Sequence, residues 1–527
     1  MIRTAAVLVA LLAPIICGMF AVSLGKDVNW DLKNYHYYNA YAFLENRLDF
    51  DVAPAQLQTF YNPLLDLPFF WMTRNLSAKT IGFILGCIHG INLSLIFLIY
   101  CRITSYSRPA FKLAIGIAVV ITSGIAPGFI SELGSTMNDN LVTLFVLSAM
   151  LFLLVAYDRA EQKKPSRGII LYIVAGGFIM GAGVGLKPTI SVYSLSSAAA
   201  LIVLFTTWQA RARYFLCYSI AGILGAALTA GFWWWKLWTL YANPLLPYFN
   251  NIFRSPYVPG SLFADARFIP RCLWEYFVWP VVFSWNPQRV AELGFSDIRF
   301  AIVFILFLAW GIHGLSKTEK RHQHFHPPAV RFLTLFFASS FILWMTVSSI
   351  YRYLITLELF VPIIFLALLE RIVSSDPMRT AIVILVTAVA GLQFRPLDWG
   401  RASWNDPYVR IKTSANVIRT DNAVVVMLGD APMAYVIPHF PATTRFVRPE
   451  GNLALRSETL FYQKIKNIVD RQKTTGKIFI LFREADPSVN LEATSTRWGL
   501  DFRQLSECSF LEFLQTDRLT LCRVRSP

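Results

Sequence analysis

Long apolar runs separated by short polar segments fill the first three quarters of the chain. They recur near 4–24, 80–100, 110–130, 140–157, 168–186, 190–208, 214–234, 300–315, 332–349, 354–370 and 380–394. Each is roughly as long as a helix needs to be to cross a ~30 Å hydrocarbon core, so the pattern predicts about eleven spans. The segment 270–300 is also aromatic and apolar and leaves that count open by one or two.

After about position 395 the pattern changes. Ala423 to Leu428 and Lys477 to Phe482 read as buried strands, Ser457 to Arg471 has helical spacing, and Phe510 to Phe513 with Leu519 to Cys522 reads as a hairpin around Gln515-Thr516-Asp517. The expected architecture is a polytopic α-helical membrane core over 1–395 followed by a small α/β soluble domain over 396–527. This tail contains no phosphate-binding glycine loop, zinc spacing or nucleophile elbow, so no chemistry is assigned to it.

Composition agrees with a membrane protein. Of 527 residues 55% are hydrophobic and only 15% charged, too few charges for the surface of a soluble domain of this size. The net charge of +16 resembles a nucleic-acid footprint until its placement is considered. Arg3, Arg102 with Arg108 and Lys112, Arg159 to Arg167, Arg211 with Arg213, Lys317 to Arg331, and Arg371 with Arg379 all fall between spans of one parity. The positive-inside rule makes those loops cytoplasmic, excludes nucleic acid as the partner, and puts the tail outside, in the periplasm of a bacterial inner membrane. Residues 1–24 read as the first span rather than a cleaved signal peptide, because no small-x-small site precedes Lys26. Cys508 and Cys522 lie together in the outer tail as either a disulfide or a free pair.

The candidate chemistry lies in the outer loops. The first, from Gly25 to Lys79, is longer than a connection requires, which marks functional loops. Its aromatics suit a helix lying in the membrane interface, and most of its acids read as solvated. Asp31 is the exception: beside Trp30 and Tyr35 at the membrane exit, a desolvated carboxylate would have the raised pKa of a general base. Tyr35, His36, Tyr61 and Asn62 are candidate substrate-binding residues. The second outer loop carries Glu132, Asn138 and Asp139, which either meet Asp31 to orient an acceptor or hold a divalent cation through oxygen ligands; Asp139 and Asn140 equally suit a helix cap. Lys187 before Pro188, and Arg352 within Tyr351-Arg352-Tyr353, are lone cations between apolar helices. A charge there is costly and suggests function, with snorkelling the bland alternative. Together they suit an anionic headgroup, phosphate above all.

This arrangement resembles the GT-C superfamily of polyprenyl-phosphate-sugar-dependent glycosyltransferases, whose members include protein O-mannosyltransferases, lipid A aminoarabinose transferases and bacterial lipopolysaccharide sugar transferases. The resemblance covers roughly 1–370 and rests on Asp31, Asn138-Asp139, Leu186-Lys187-Pro188 and Arg352-Tyr353. It implies inverting transfer from a polyprenyl-phosphate sugar to a hydroxyl of a glycan, lipid or protein. Asp31 would be the base, with Glu132 and Asp139 beside it, while Lys187, Arg352 and Tyr353 would hold the departing phosphate; no metal or cofactor is required, although a divalent cation is compatible. Asp31 is followed by Leu32 where the mannosyltransferase and aminoarabinose members carry an Asp-Glu pair, so the resemblance names the superfamily and not the sugar. The rival reading is a lipid-linked glycan flippase, for which paired repeats and midplane polar residues would be expected.

Overall fold

The computed structural model describes residues 2–524 apart from 262, 264, 315–323, 414–419, 485, 501–504 and 514–516. A helix coincides with each of the eleven apolar runs. Seven are long and apolar enough to cross a membrane: Thr4–Leu24, Ala78–Ile103, Asp139–Glu161, Ser166–Leu186, Trp208–Tyr241, Pro327–Val347 and Tyr351–Ile372. Pro109–Gly124 and Arg299–Gly314 are shorter, and Ser191–Leu201 has only eleven residues. The ambiguous 270–300 region holds a thirteen-residue helix, Leu273–Trp285.

Glycines allow the closest helix crossing. A Cβ on Gly181 would lie 1.8 Å from Gly222 O, and one on Gly225 would lie 2.1 Å from Phe178 O, so Ser166–Leu186 and Trp208–Tyr241 touch backbone to backbone. The opposite face of the longer helix exposes Ile220, Ile223, Leu224 and Leu228, as suits contact with lipid.

The helices sort the loops onto two ends. At one end Arg102 binds Asp158 at 2.5 Å and the His324 N–H donates to Glu370 at 2.7 Å. The basic segments sit at this end, except that Lys317 to Gln323 lie outside the described residues. At the other end the first outer loop, the loops carrying Glu132, Lys187, Tyr248 and Arg352, and the tail all meet.

Six of the tail's strands form one sheet in the order Ile411–Thr413, Leu505–Phe513, Asp517–Val524, Ile478–Arg483, Val424–Met427, Arg445–Val447. The expected hairpin is its second and third strands, whose turn at Gln515-Thr516 is outside the described residues; Cys508 and Cys522 form a disulfide across it. Helix Leu460–Lys473 packs on the sheet through Phe461, Ile465 and Val469.

The tail does not stand apart from the core. Lys26–Asp27 pairs antiparallel with Arg401–Ala402, Val52 bridges to Val447, and Arg47 donates to Ala442 O and Thr444 O. This docking overturns two expectations for the first loop. Four of its tyrosines do not lie in the interface, since Tyr35, Tyr37, Tyr38 and Tyr41 are buried, packed in one cluster with Tyr408, Tyr435 and Phe446 of the tail, while Trp30 and Trp71 stay exposed. Its acids are not mostly solvated either. Asp27, Asp51 and Asp66 are buried and bonded, Asp51 to Arg47 at 2.8 and 2.9 Å, because the tail covers the loop that the sequence suggested was open to water.

Candidate active site

Asp31 and His36 bracket a turn of π-helix, Leu32–His36, in which the backbone bonds span five residues. Such widened turns cluster at functional sites. Asn29 starts it, its Oδ1 accepting the Leu32 N–H at 2.7 Å while its own side chain is fixed by Asp27. Asp27 in turn accepts both the N–H and the hydroxyl of Thr136 at 2.8 Å, which ties the first outer loop to the second.

Lys187 ends the helix Ser166–Leu186. The following proline disfavours helical backbone at Lys187, which is extended at φ −145° and ψ 104°. Its Nζ donates to Met137 O at 2.7 Å and to Asp139 Oδ1 at 2.5 Å. The capping alternative for Asp139 does not hold, because the helix that it opens has no side-chain cap bond and its carboxylate faces Lys187.

Arg352 sits in a short turn before the helix Ile355–Ile372. Its Nη1 donates to Asp31 Oδ2 at 2.5 Å and its Nη2 reaches the Tyr353 hydroxyl at 3.4 Å. Lys187 Nζ and the Arg352 guanidinium lie 5.7 and 5.2 Å from the centre of the Tyr353 ring, so the two ion pairs share one aromatic residue. The four charges singled out from the sequence are therefore brought together, each cation facing one carboxylate.

Asp31 does not have the raised pKa expected of it. Burial pushes its carboxyl up, but the Arg352 guanidinium, with His36 and Lys187, outweighs burial and holds it below the ordinary carboxylate range. Glu132 behaves in the opposite way. Fully buried, with neither carboxylate oxygen hydrogen-bonded, it is raised well above the usual range by desolvation and by the Asp139 charge.

That difference predicts a pH effect. A raised value means that the folded chain holds the Glu132 proton to higher pH than the unfolded chain, which loses it near pH ~4.3, so this group's contribution to stability falls as pH rises from that value through the folded one. Glu132→Gln removes the titration while keeping the shape. Between about pH 5 and 8 the thermal midpoint of the parent should fall further than that of the variant, and parallel curves would mean that Glu132 is ionised in the fold.

The remaining candidates divide. Tyr35 packs at 4.0 Å on the His36 ring and edge-on at 5.3 Å against Tyr61, and burial keeps both phenols well above their usual range as protonated hydroxyls. Tyr61 bonds Tyr248 hydroxyl to hydroxyl at 2.6 Å. Asn62 is differently engaged: its amide donates to Gly185 O and Thr229 O, pinning the end of the helix Ser166–Leu186 to the interior of the helix Trp208–Tyr241. Asn138, in left-handed backbone at φ 68°, reaches Asp66 at 3.2 Å and His36 at 3.4 Å.

Several site residues were missed from the sequence. Asp66 Oδ1 lies 2.6 Å from His36 Nδ1. Behind Arg352, the Tyr351 hydroxyl lies 2.6 Å from Asp297 and 2.8 Å from Glu358, and Arg299 binds both carboxylates. Glu358 lies inside an apolar run, and a carboxylate at that depth was the signal available. Among the described residues no three acidic, imidazole or thiol groups converge as a metal-ligand set.

No protein-family model and no curated protein matches the chain. Among solved structures there is a match. It is a crystal structure of the Archaeoglobus fulgidus oligosaccharyltransferase, a GT-C family enzyme, tethered with an acceptor peptide via a disulfide bond. The identity is 12% and the TM-score 0.42, over 90% of this chain and 68% of that one.

Proposed function

We propose that the chain is a membrane glycosyltransferase of the GT-C type that moves a sugar from a polyprenyl phosphate to an acceptor hydroxyl at the outer face of a bacterial inner membrane. The observation that carries the reading is the pair of cations on Tyr353, Lys187 and Arg352, which stay partly exposed in an otherwise buried cluster. Lys187 uses two of its three N–H donors within the protein and Arg352 uses two of its five, so donors remain for phosphate oxygens.

The acceptor oxygen attacks the anomeric carbon as the bond from that carbon to the phosphate oxygen breaks. The electron pair stays on the phosphate, where Lys187 and Arg352 stabilise the growing charge. A single displacement of this kind inverts the anomeric centre. Arriving phosphate competes for Arg352 with Asp31, whose carboxylate is released as the donor settles. That release leaves the Asp31 carboxylate without its cation while the donor is bound. The partners are the lipid-phosphate sugar, a glycan, lipid or protein acceptor and the surrounding lipids; no cofactor enters, and a divalent cation between a carboxylate and the phosphate is compatible with the oxygen ligands present.

Binding of undecaprenyl phosphate to the purified protein in nanodiscs tests the reading, and no detectable binding would sink it. Orientation has its own test. Reporters fused after Tyr353 and within 420–524 should read as external, and one at Lys163 as cytoplasmic. A cytoplasmic signal from the tail would reverse the placement of the site.

A further inference from the structure

Asp31 is an awkward base in the ground state, since a carboxylate held below its ordinary range has little affinity for the acceptor's proton. A better-equipped group stands at the other end of the same π-turn. His36 is 2% exposed, its Nδ1 lies 2.6 Å from Asp66 Oδ1, and its Nε2 is buried with no hydrogen-bond partner. Buried polar atoms without partners are rare in folded proteins and call for an explanation. A carboxylate on Nδ1 also fixes the imidazole in the tautomer whose Nε2 lone pair is free, the arrangement that orients a histidine base in hydrolases.

Two further observations mark the place. Asn138 is held in left-handed backbone, costly for a residue with a side chain, and its amide donates from the second outer loop to Asp66 Oδ1 at 3.2 Å, which holds that carboxylate against His36. The π-turn carries Asp31 and His36 on one segment, so the group paired with the phosphate-binding Arg352 and the free imidazole nitrogen are held as a unit. The charged and titratable groups acting on the pair are Asp31 and Tyr35 on its own segment, Asp66 beside it, and Lys187 and Arg352 from the helical core.

We propose that His36, oriented by Asp66, is the group that takes the proton from the acceptor hydroxyl, while Asp31 serves as the counter-ion that Arg352 exchanges for the donor phosphate. This inference rests on the glycosyl-transfer reading and deepens it. The acceptor O–H gives its proton to His36 Nε2, the freed oxygen pair forms the new bond to the anomeric carbon, and the old carbon–oxygen bond leaves its electrons on the phosphate. The imidazolium then returns the proton to the departing phosphate or to water. Asp66 remains a carboxylate and acts through His36 as a positioning residue.

Two measurements test it. The first needs no substrate: in protein labelled with ¹⁵N-histidine, with the His36 signals assigned by loss in His36→Gln, Nδ1 should carry the proton and Nε2 should be bare. The opposite tautomer would overturn the proposal. The second uses undecaprenyl-phosphate-linked monosaccharides with glycerol as a stand-in acceptor and follows release of undecaprenyl phosphate. His36→Ala should lose roughly 10²–10⁴-fold in turnover, and added imidazole should restore at least about tenfold of it. A purely structural histidine would not be rescued, and a variant that keeps its turnover, or loses it beyond rescue while still binding undecaprenyl phosphate, would return the base to Asp31. Should the parent bind no undecaprenyl phosphate, the glycosyl-transfer reading fails, and the inference falls with it whatever the tautomer.

Discussion

Arg299→Met should destabilise the protein by about 3–5 kcal/mol, because it leaves two buried carboxylates without their cation. Arg299 binds Asp297 through Nε and Nη2 at 2.8 and 2.7 Å, reaches Glu358 at 3.2 Å and donates to Thr122 O at 2.9 Å. None of the three side chains is more than 3% exposed. One Tyr351 hydroxyl proton lies between the same two carboxylates, and the Glu358 oxygens also accept the Gly128 and Phe129 N–H groups at 3.0 Å. This network joins the loop before Arg299, the short helix Pro127–Ser131 and the turn that presents Arg352. A loss of this size is a large part of a typical total of 5–15 kcal/mol. Reversible unfolding in mixed micelles measures it, and a change within about 1 kcal/mol would mean that water reaches and solvates these groups. Surviving protein should bind undecaprenyl phosphate more weakly as well, since Tyr351 anchors the residue next to Arg352.

What the sequence made legible follows from how far each signal reaches along the chain. Apolar runs are local, and each of the eleven marks a helix. Lone charges beside such runs are local too, and Asp31, Asp139, Lys187 and Arg352 do converge. Partners distant in sequence were not legible. The pairing of Arg47 with carbonyls 395 and 397 positions away buries the first loop under the tail, so acids and tyrosines that looked solvated or interfacial became core. The depressed pKa of Asp31 has the same origin, because its cation lies 321 positions downstream. Asp66 stood in plain view between Pro63 and Pro68, but only folding puts it against His36. Tyr248 likewise gains meaning only when its hydroxyl meets Tyr61.

Arg352→Gln should weaken binding of undecaprenyl phosphate by about ten- to a hundredfold, the value of one charge-assisted contact at roughly 1.5–3 kcal/mol. Lys187→Met should do the same, since methionine keeps the apolar stem and removes the charge. Each change also orphans a buried carboxylate, Asp31 in one case and Asp139 in the other, so each should lower stability as well as affinity. A second substitution separates the two effects. In Asp31→Asn/Arg352→Gln the stranded charge is gone, and the thermal midpoint should recover towards that of the parent. Phosphate binding should not recover, because the guanidinium that gripped it is still missing. If the double variant regains both, Arg352 is only the counter-ion of Asp31 and the phosphate site lies elsewhere. If both single variants bind as tightly as the parent, neither cation holds the lipid phosphate, and a carrier that moves a lipid-linked glycan without cleaving it becomes the better account of the chain.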